Sequence, residues 1–73
     1  MLYRWKSRTF KDYTLGSIYV EARSVKAARL KVIASAKVCF TYDLQVRKGV
    51  EYDVAGEPDE IIKDGVSFVM GSA

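Results

Sequence analysis

The thirteen residues that follow Ser24 contain neither Gly nor Pro, and this uninterrupted run constrains the fold more than any other stretch of the chain. Serine is typical of a helix N-cap, because its hydroxyl accepts a hydrogen bond from a free amide of the first turn. Much of the run consists of Ala, Leu and Lys, which favour helix. The sequence therefore predicts one α-helix that begins after Ser24 and ends before Cys39.

The predicted helix has two apolar rows and a separate group of cations. One apolar row contains Ala27, Leu30, Ala34 and Val38, and the second contains Val25, Ala28, Val32 and Ala36. Lys26, Arg29 and Lys37 fall on another side of the helical wheel. Because small side chains allow close approach, we expect the Ala residues to face a sheet and the cations to project outward. A solvated basic face is the simplest interpretation of those cations.

Two strands are predicted before the helix, since residues 2–10 and 17–23 alternate in polarity. In the first strand, Tyr3 and Trp5 are expected in the core. Its opposite face carries three cations that remain available to a partner, namely Arg4, Lys6 and Arg8. The second strand is expected to place Ile18, Val20 and Ala22 inward. The segment 11–16 between the strands is predicted to be the hairpin turn.

More strands are predicted after the helix. Residues 39–48 alternate most regularly, Lys48-Gly49 is predicted to turn the chain, residues 50–55 follow in register, and residues 66–70 read as a short last strand. Pro58 is placed to begin one short helical turn over residues 58–63. The predicted fold is a single α+β domain over residues 1–73. It is an antiparallel four- to five-stranded sheet with one α-helix packed on one face, in the order β-β-α-β-β-(β).

Length and composition set further bounds. A chain of 73 residues forms one domain with a marginal core, which extra burial by a partner or a second copy would help. No segment reaches the roughly 18 apolar residues of a membrane span, and no signal peptide is recognised. The single cysteine, Cys39, forms no internal disulfide, which suits a reducing cytoplasm. At the start of a predicted strand, Cys39 is expected to be a small buried hydrophobe.

Enzymatic chemistry is not expected. The chain has no His, which removes the commonest general base, and one Cys without His makes neither a papain-like nucleophile nor a zinc site. There is no Gly-rich loop that would cradle a phosphate. The acidic residues after position 56 are spaced like a loop and a helix start rather than a calcium loop. We therefore predict no enzyme activity, no metal and no cofactor, which leaves binding.

The net charge of +3 hides a division between two parts of the chain. Residues 1–48 hold eleven Lys and Arg side chains against three acidic ones, a net charge of +8, whereas residues 49–73 hold one Lys against six acids, a net charge of −5. One interpretation is a basic face for a nucleic acid or an acidic protein surface. The other is charge complementarity inside one fold. The sequence leaves both open.

The stretch 20–40 resembles a family of small phage-encoded anti-CRISPR proteins that inhibit type I-F surveillance complexes. The shared features are Val20-Glu21-Ala22-Arg23-Ser24 at the junction of strand and helix, Ile33-Ala34-Ser35, and then Cys39-Phe40 three residues later. The resemblance covers roughly a third of the chain and implies a strand-strand-helix-strand order. The helix here is two residues longer between Ser24 and Ile33, and Ala36-Lys37-Val38 replace a basic-acidic-amide triplet.

The resemblance implies a stoichiometric inhibitor that acts in the cytoplasm of an infected bacterial host. Such an inhibitor docks on the backbone subunits that hold the guide RNA and keeps target DNA from pairing. By position, the resemblance carries over Lys31 and Lys37 as contacts, and the helical wheel adds Lys26 and Arg29. Two alternatives remain open. One is a sequence-nonspecific nucleic-acid-binding module that also uses Arg4, Lys6 and Arg8 on phosphates, and the other is a small structural or assembly protein that self-associates, for example as a homodimer.

Overall fold

A computed structural model describes residues 1–63 of the chain, and these residues form a small α+β fold. The elements are β1 (Leu2–Ser7), β2 (Gly16–Glu21), α1 (Val25–Cys39), α2 (Leu44–Asp53) and β3 (Glu60–Ile62). The three strands make one antiparallel sheet in the order β2-β1-β3. The predicted α+β class is retained, but the predicted four- to five-stranded sheet with one helix is wrong.

The hairpin of β1 and β2 agrees with the sequence prediction. Tyr3 lies opposite Val20 and Trp5 lies opposite Ile18. Tyr3 and Trp5 are 2% and 1% exposed, which confirms that they belong to the core. β2 begins at Gly16, where any Cβ would collide with the backbone carbonyl of Phe10. A glycine is therefore needed for the two ends of the connecting loop to approach.

Helix α1 begins as predicted. The Ser24 hydroxyl accepts from the Ala27 amide at 3.1 Å, which makes Ser24 the N-cap. Of the two apolar rows, the one with Ala28, Val32 and Ala36 is buried in the core. The other row is exposed, including Ala27 and Ala34, so the expectation that the Ala residues face the sheet is wrong for those two. The small side chains of the buried row let α1 lie close to the sheet.

The strands predicted over residues 39–48 and 50–55 are wrong, since these residues form the end of α1, a short connection and α2. Asp43 is the N-cap of α2, because its carboxylate accepts from the Val46 amide at 3.1 Å. Val46, Val50 and Val54 are spaced by four residues, and this spacing fits both the alternation of a strand and one face of a helix. In the structure they face the core. The apolar alternation that predicted strands also depended on three residues that are exposed in the structure, namely Tyr42, Leu44 and Tyr52.

Gly49 lies inside α2 and not in a turn between two strands. A Cβ at Gly49 would collide with Oγ1 of Thr9 and come within 3.1 Å of its Cγ2. Glycine is disfavoured inside a helix by about 1 kcal/mol relative to Ala. The close approach of the Thr9 side chain, which is invisible in the local sequence, explains why a glycine occupies this position.

The helical turn predicted over residues 58–63 is also wrong, because this segment contains β3. Strand β3 pairs with β1, with Ile61 opposite Tyr3. Just before it, the Asp59 amide donates to the Arg4 carbonyl at 2.8 Å, which draws the segment onto the edge of β1. The strand predicted over residues 66–70 lies outside the described residues.

Both helices pack on the face of the sheet that carries Tyr3 and Trp5. The core consists of eight buried apolar residues from β1, β2 and the two helices, namely Tyr3, Trp5, Val20, Ala28, Val32, Ala36, Val50 and Val54. Neither α1 nor α2, the helices found in residues 1–63, has the length and apolarity to cross a membrane. The arrangement leaves a gap between α1 and β2.

Candidate docking cleft between strand β2 and helix α1

An open apolar cleft of about 320 Å³ lies between β2 and α1. Strand β2 contributes Ile18, Tyr19, Val20 and Glu21, helix α1 contributes Lys31, Val32, Ser35, Ala36 and Cys39, and the remaining lining comes from Phe10, Phe40 and Val50. Carbon atoms make up most of this lining. The volume lies in the range of sites that hold a small ligand or a few side chains of a partner.

Two phenylalanines close one end of the cleft. Phe10 follows β1 and Phe40 caps the C-terminus of α1, and their ring centroids lie 5.6 Å apart at an angle of 36°. Such a tilted aromatic pair fixes both rings. In the sequence, Phe10 breaks the alternation of residues 2–9, which indicates a bulge or turn there but not the contact with Phe40.

Cys39 is exposed at the end of α1 and lines the cleft. The prediction of a small buried hydrophobe at the start of a strand is therefore wrong. The reason is that α1 continues through Cys39, which places this side chain at the cleft instead of in a sheet.

The other end of the cleft is polar. Lys31 on α1 donates from Nζ to the backbone carbonyl of Glu21 at 2.9 Å, so it bridges α1 and the end of β2. Lys31 is the residue that the resemblance singled out most directly. Its position at the rim of the cleft is consistent with a contact residue, although its ammonium group already has one partner inside the chain.

Arg29 was predicted to project outward, but it is anchored to the end of α2. Its Nε donates to the Val54 carbonyl at 2.8 Å and its Nη2 to the Gly56 carbonyl at 3.0 Å. The carboxylate of Glu57 lies 3.6 Å from the same Nη2. This guanidinium therefore satisfies the carbonyl group of the α2 C-cap, Val54, and a carbonyl group of the loop that follows.

Arg4 also has partners within the fold. Its Nε donates to Ser17 Oγ at 3.0 Å, and its Nη1 lies 3.5 Å from the Glu60 carboxylate. The two charged side chains are 12% and 18% exposed. Arg4 thus connects β2, β1 and β3 across the sheet.

Four predicted site residues have exposed side chains without such a partner. Within residues 1–63, no hydrogen bond or ion pair engages the charged groups of Lys6, Arg8, Lys26 and Lys37. Lys26 and Lys37 lie on α1, while Lys6 and Arg8 lie at and just beyond the end of β1. The structure therefore divides the predicted cations into these four exposed ones and three that hold the fold together.

The acidic residues of the C-terminal part are largely committed to the basic part. Asp59 accepts from the Lys6 amide at 2.7 Å and Asp53 from the Arg8 amide at 3.2 Å, while Glu57 and Glu60 lie beside arginines. Charge complementarity inside the fold, one of the two interpretations left open by the sequence, is therefore seen for two of the six acids in residues 49–73, namely Glu57 and Glu60, whereas Asp53 and Asp59 bind backbone amides.

Sequence reasoning missed the cleft itself. Its walls depend on which row of α1 is buried and on the contact between Phe10 and Phe40, and neither is set by local pattern. As for metal chemistry, the described part of the chain contains no group of three His, Cys, Asp or Glu residues that could hold an ion. No protein-family model, curated protein or solved structure matches this chain.

Proposed function

We propose that this chain is a non-enzymatic binding protein that docks on a macromolecular partner through the cleft between β2 and α1. One observation carries the proposal: the stretch that resembles the anti-CRISPR proteins is also the stretch that builds the cleft. Eight of the twelve lining residues fall within residues 20–40.

The partner that we propose is the set of backbone subunits of a type I CRISPR surveillance complex. The proposed action is a stoichiometric block of target DNA binding in the cytoplasm of an infected bacterial host. The resemblance over residues 20–40 motivates this choice. The strand that it implies after the helix is not found, because α2 stands there.

The positive charge of α1 supports a partner whose docking surface is acidic. The helix contains four cations and no acid over its fifteen residues. Lys26 and Lys37 are exposed and unpaired within the described residues, and Lys31 lies at the rim of the cleft. Electrostatic attraction of this kind speeds association and selects partners more than it adds affinity.

The test is co-elution of the purified protein with type I-F surveillance complex on a sizing column, with and without prebound target DNA. We expect co-elution only in the absence of DNA. A protein that elutes alone in both cases contradicts the proposed partner. The matched variants are Lys31→Glu, which changes the cation on α1 that lines the cleft, and Lys48→Glu, an exposed cation on α2 away from the cleft lining. We expect the first to weaken co-elution and the second to leave it unchanged.

A second candidate function is sequence-nonspecific nucleic-acid binding. The observation that favours it is the exposure of Lys6 and Arg8 together with Lys26 and Lys37, because unpaired cations are what phosphates bind. Binding of a fluorescent single-stranded oligonucleotide at increasing salt distinguishes the two functions. A phosphate binder loses affinity steeply with salt, whereas absence of binding at low salt excludes this candidate.

A further inference from the structure

The backbone groups on one side of β2 point away from the sheet. The Ala22 amide donates to the Met1 carbonyl at 3.0 Å, so these two residues form a hydrogen-bonded pair. Along an antiparallel ladder, hydrogen-bonded and non-hydrogen-bonded pairs alternate. The pairs of Val20 and Ile18 with β1 are then hydrogen-bonded, whereas Glu21, Tyr19 and Ser17 direct their amide and carbonyl groups outward.

The contact of Lys31 independently supports this assignment of outward-pointing backbone groups on β2. Its ammonium group reaches the Glu21 carbonyl from the side of α1, at 2.9 Å, which requires that carbonyl to point away from β1. Within residues 1–63, β2 is an edge strand, and no partner engages the outward amide and carbonyl of Tyr19. Unpaired edge groups of this kind pair readily with another extended chain.

The cleft opens at the same edge. Tyr19 and Glu21 line it, although their side chains alternate to the face of the sheet opposite Ile18 and Val20. A strand added beside β2 would therefore direct every second side chain under α1, into the apolar cleft. Backbone pairing combined with pockets for alternate side chains is an established mode of peptide recognition.

We propose that the partner contributes an extended segment, apolar at alternate positions and acidic at its ends, that adds to the sheet beside β2. This inference rests on the proposed function, because it specifies what occupies the cleft. The acidic ends are argued from the charge of α1, which carries four cations and no acid, and from Lys31, the α1 cation that lines the cleft where β2 ends at Glu21.

The same charges disfavour a second copy of this chain as the occupant. Two copies paired through β2 in one continuous antiparallel sheet would place both α1 helices on the same face and side by side. Each helix carries four cations and no acid, so the pair would repel. A self-associated dimer through this edge is thus an outcome for the tests to exclude.

The first test removes one backbone donor from the edge. Because the Tyr19 amide points outward, Tyr19→Pro deletes it without removing a bond between β1 and β2, as is typical of prolines on edge strands. The matched control is Tyr19→Ala, which also removes the aromatic ring but keeps the amide. We expect Tyr19→Pro to bind surveillance complex about tenfold more weakly than Tyr19→Ala. Equal binding of the two variants overturns the edge pairing and leaves the proposed function standing.

The second test needs no surveillance complex. Its probe is a synthetic peptide with a Val-Thr-Val-Thr-Val core and two Glu residues at each end, and its control has the same core with Lys at the ends. We expect the acidic peptide to slow amide hydrogen exchange at Tyr19 and Ser17, while Ile18 and Val20 stay as they were.

The outcomes of the second test are separate from those of co-elution. No slowing at Tyr19 with the acidic peptide overturns the inference, as does equal slowing with the basic one. Slowing that rises with protein concentration in the absence of peptide also overturns it in favour of a second copy. If the protein fails to co-elute with surveillance complex but binds the acidic peptide in this way, the named partner is wrong and the edge site stands.

Discussion

The guanidinium of Arg29 holds the carbonyl group of Val54, the C-cap of α2, with a hydrogen bond of 2.8 Å. Arg29 also binds the carbonyl group of Gly56 in the loop after α2. The same carbonyl accepts a second hydrogen bond from the Trp5 indole at 3.0 Å. A residue of α1 and a residue of β1 thus converge on the end of α2. The connection explains how a short second helix is fixed to the sheet.

Replacing Arg29 by Ala is expected to lower the free energy of unfolding by about 1–3 kcal/mol, since it leaves two carbonyl groups without their charged donor. The carboxylate of Glu57 contributes little, because it is exposed and screened. Urea unfolding followed by far-UV circular dichroism measures the change. The matched variant is Lys26→Ala on the same helix, for which we expect a change within about 0.5 kcal/mol. Equal stability of the two variants would contradict the anchoring role of Arg29.

A second anchor joins Ser7 to Asp53. The buried Ser7 hydroxyl donates to the Asp53 carboxylate at 2.6 Å and accepts from the Phe10 amide at 3.1 Å. The other carboxylate oxygen of Asp53 accepts from the Arg8 amide. One carboxylate therefore fixes the end of β1 to the last turn of α2.

We expect Asp53→Ala to destabilise the fold by about 1–3 kcal/mol, because it leaves a buried hydroxyl and an amide without an acceptor. Glu51→Ala, at an exposed position on the same helix, is expected to change stability by less than about 0.5 kcal/mol. Thermal unfolding of both variants measures the difference. If Asp53→Ala unfolds at the wild-type temperature, the hydrogen bonds of Asp53 do not contribute net stability.

The contact between Gly49 and Thr9 gives a prediction for the Gly49→Ala change. Whether this change destabilises or stabilises the fold depends on the side chain at position 9. Gly49→Ala alone is expected to destabilise by about 1 kcal/mol or more, since overpacking against Thr9 exceeds the gain in helix propensity. With Thr9→Ala in place, the colliding atoms are gone, and the same Gly49→Ala change is expected to stabilise α2.

A double-mutant cycle in urea tests this reversal. Independent effects of the two substitutions would show that Thr9 does not limit the approach of α2. The reversed sign would explain why a residue that sequence reasoning took for a turn stands inside a helix.

Local features were sufficient to predict β1, β2 and the start of α1, but not the continuation of α1 through Cys39. Ser24 is followed by thirteen residues without Gly or Pro, which favours a helix, and the alternation around Tyr3 and Trp5 has one buried face. After Phe40 the same reasoning failed, because valines spaced by four fit both periods. The choice between strand and helix there depends on Asp43 as an N-cap and on contacts of Thr9 with Gly49, which are distant in sequence.

The candidate site was predictable only in part. Helical periodicity correctly placed Lys26 and Lys37 on an exposed face, but it could not show that Arg29 reaches the end of α2. That contact spans 25 residues of sequence. The cleft required the register of β2, the buried row of α1 and the stacking of Phe40 on Phe10, none of which is a local property.

Cys39 distinguishes the observed fold from the strand that the sequence pattern favoured. In the structure its thiol is exposed at the end of α1. We therefore expect a disulfide reagent such as dithiobis-nitrobenzoate to label the native protein at a rate within about tenfold of that of the unfolded chain. A thiol buried in a sheet would instead be labelled only through opening of the fold, which slows the reaction by orders of magnitude.

The same labelling probes the cleft, since Cys39 lines it. A bulky maleimide adduct is expected to block binding of the acidic peptide, whereas a small methylthio adduct should leave it nearly unchanged. Circular dichroism of each adduct controls for unfolding. If the bulky adduct folds and still binds the peptide with wild-type affinity, the peptide does not enter the cleft beside Cys39. Labelling that requires denaturant would go further and contradict the exposed position of Cys39 at the end of α1.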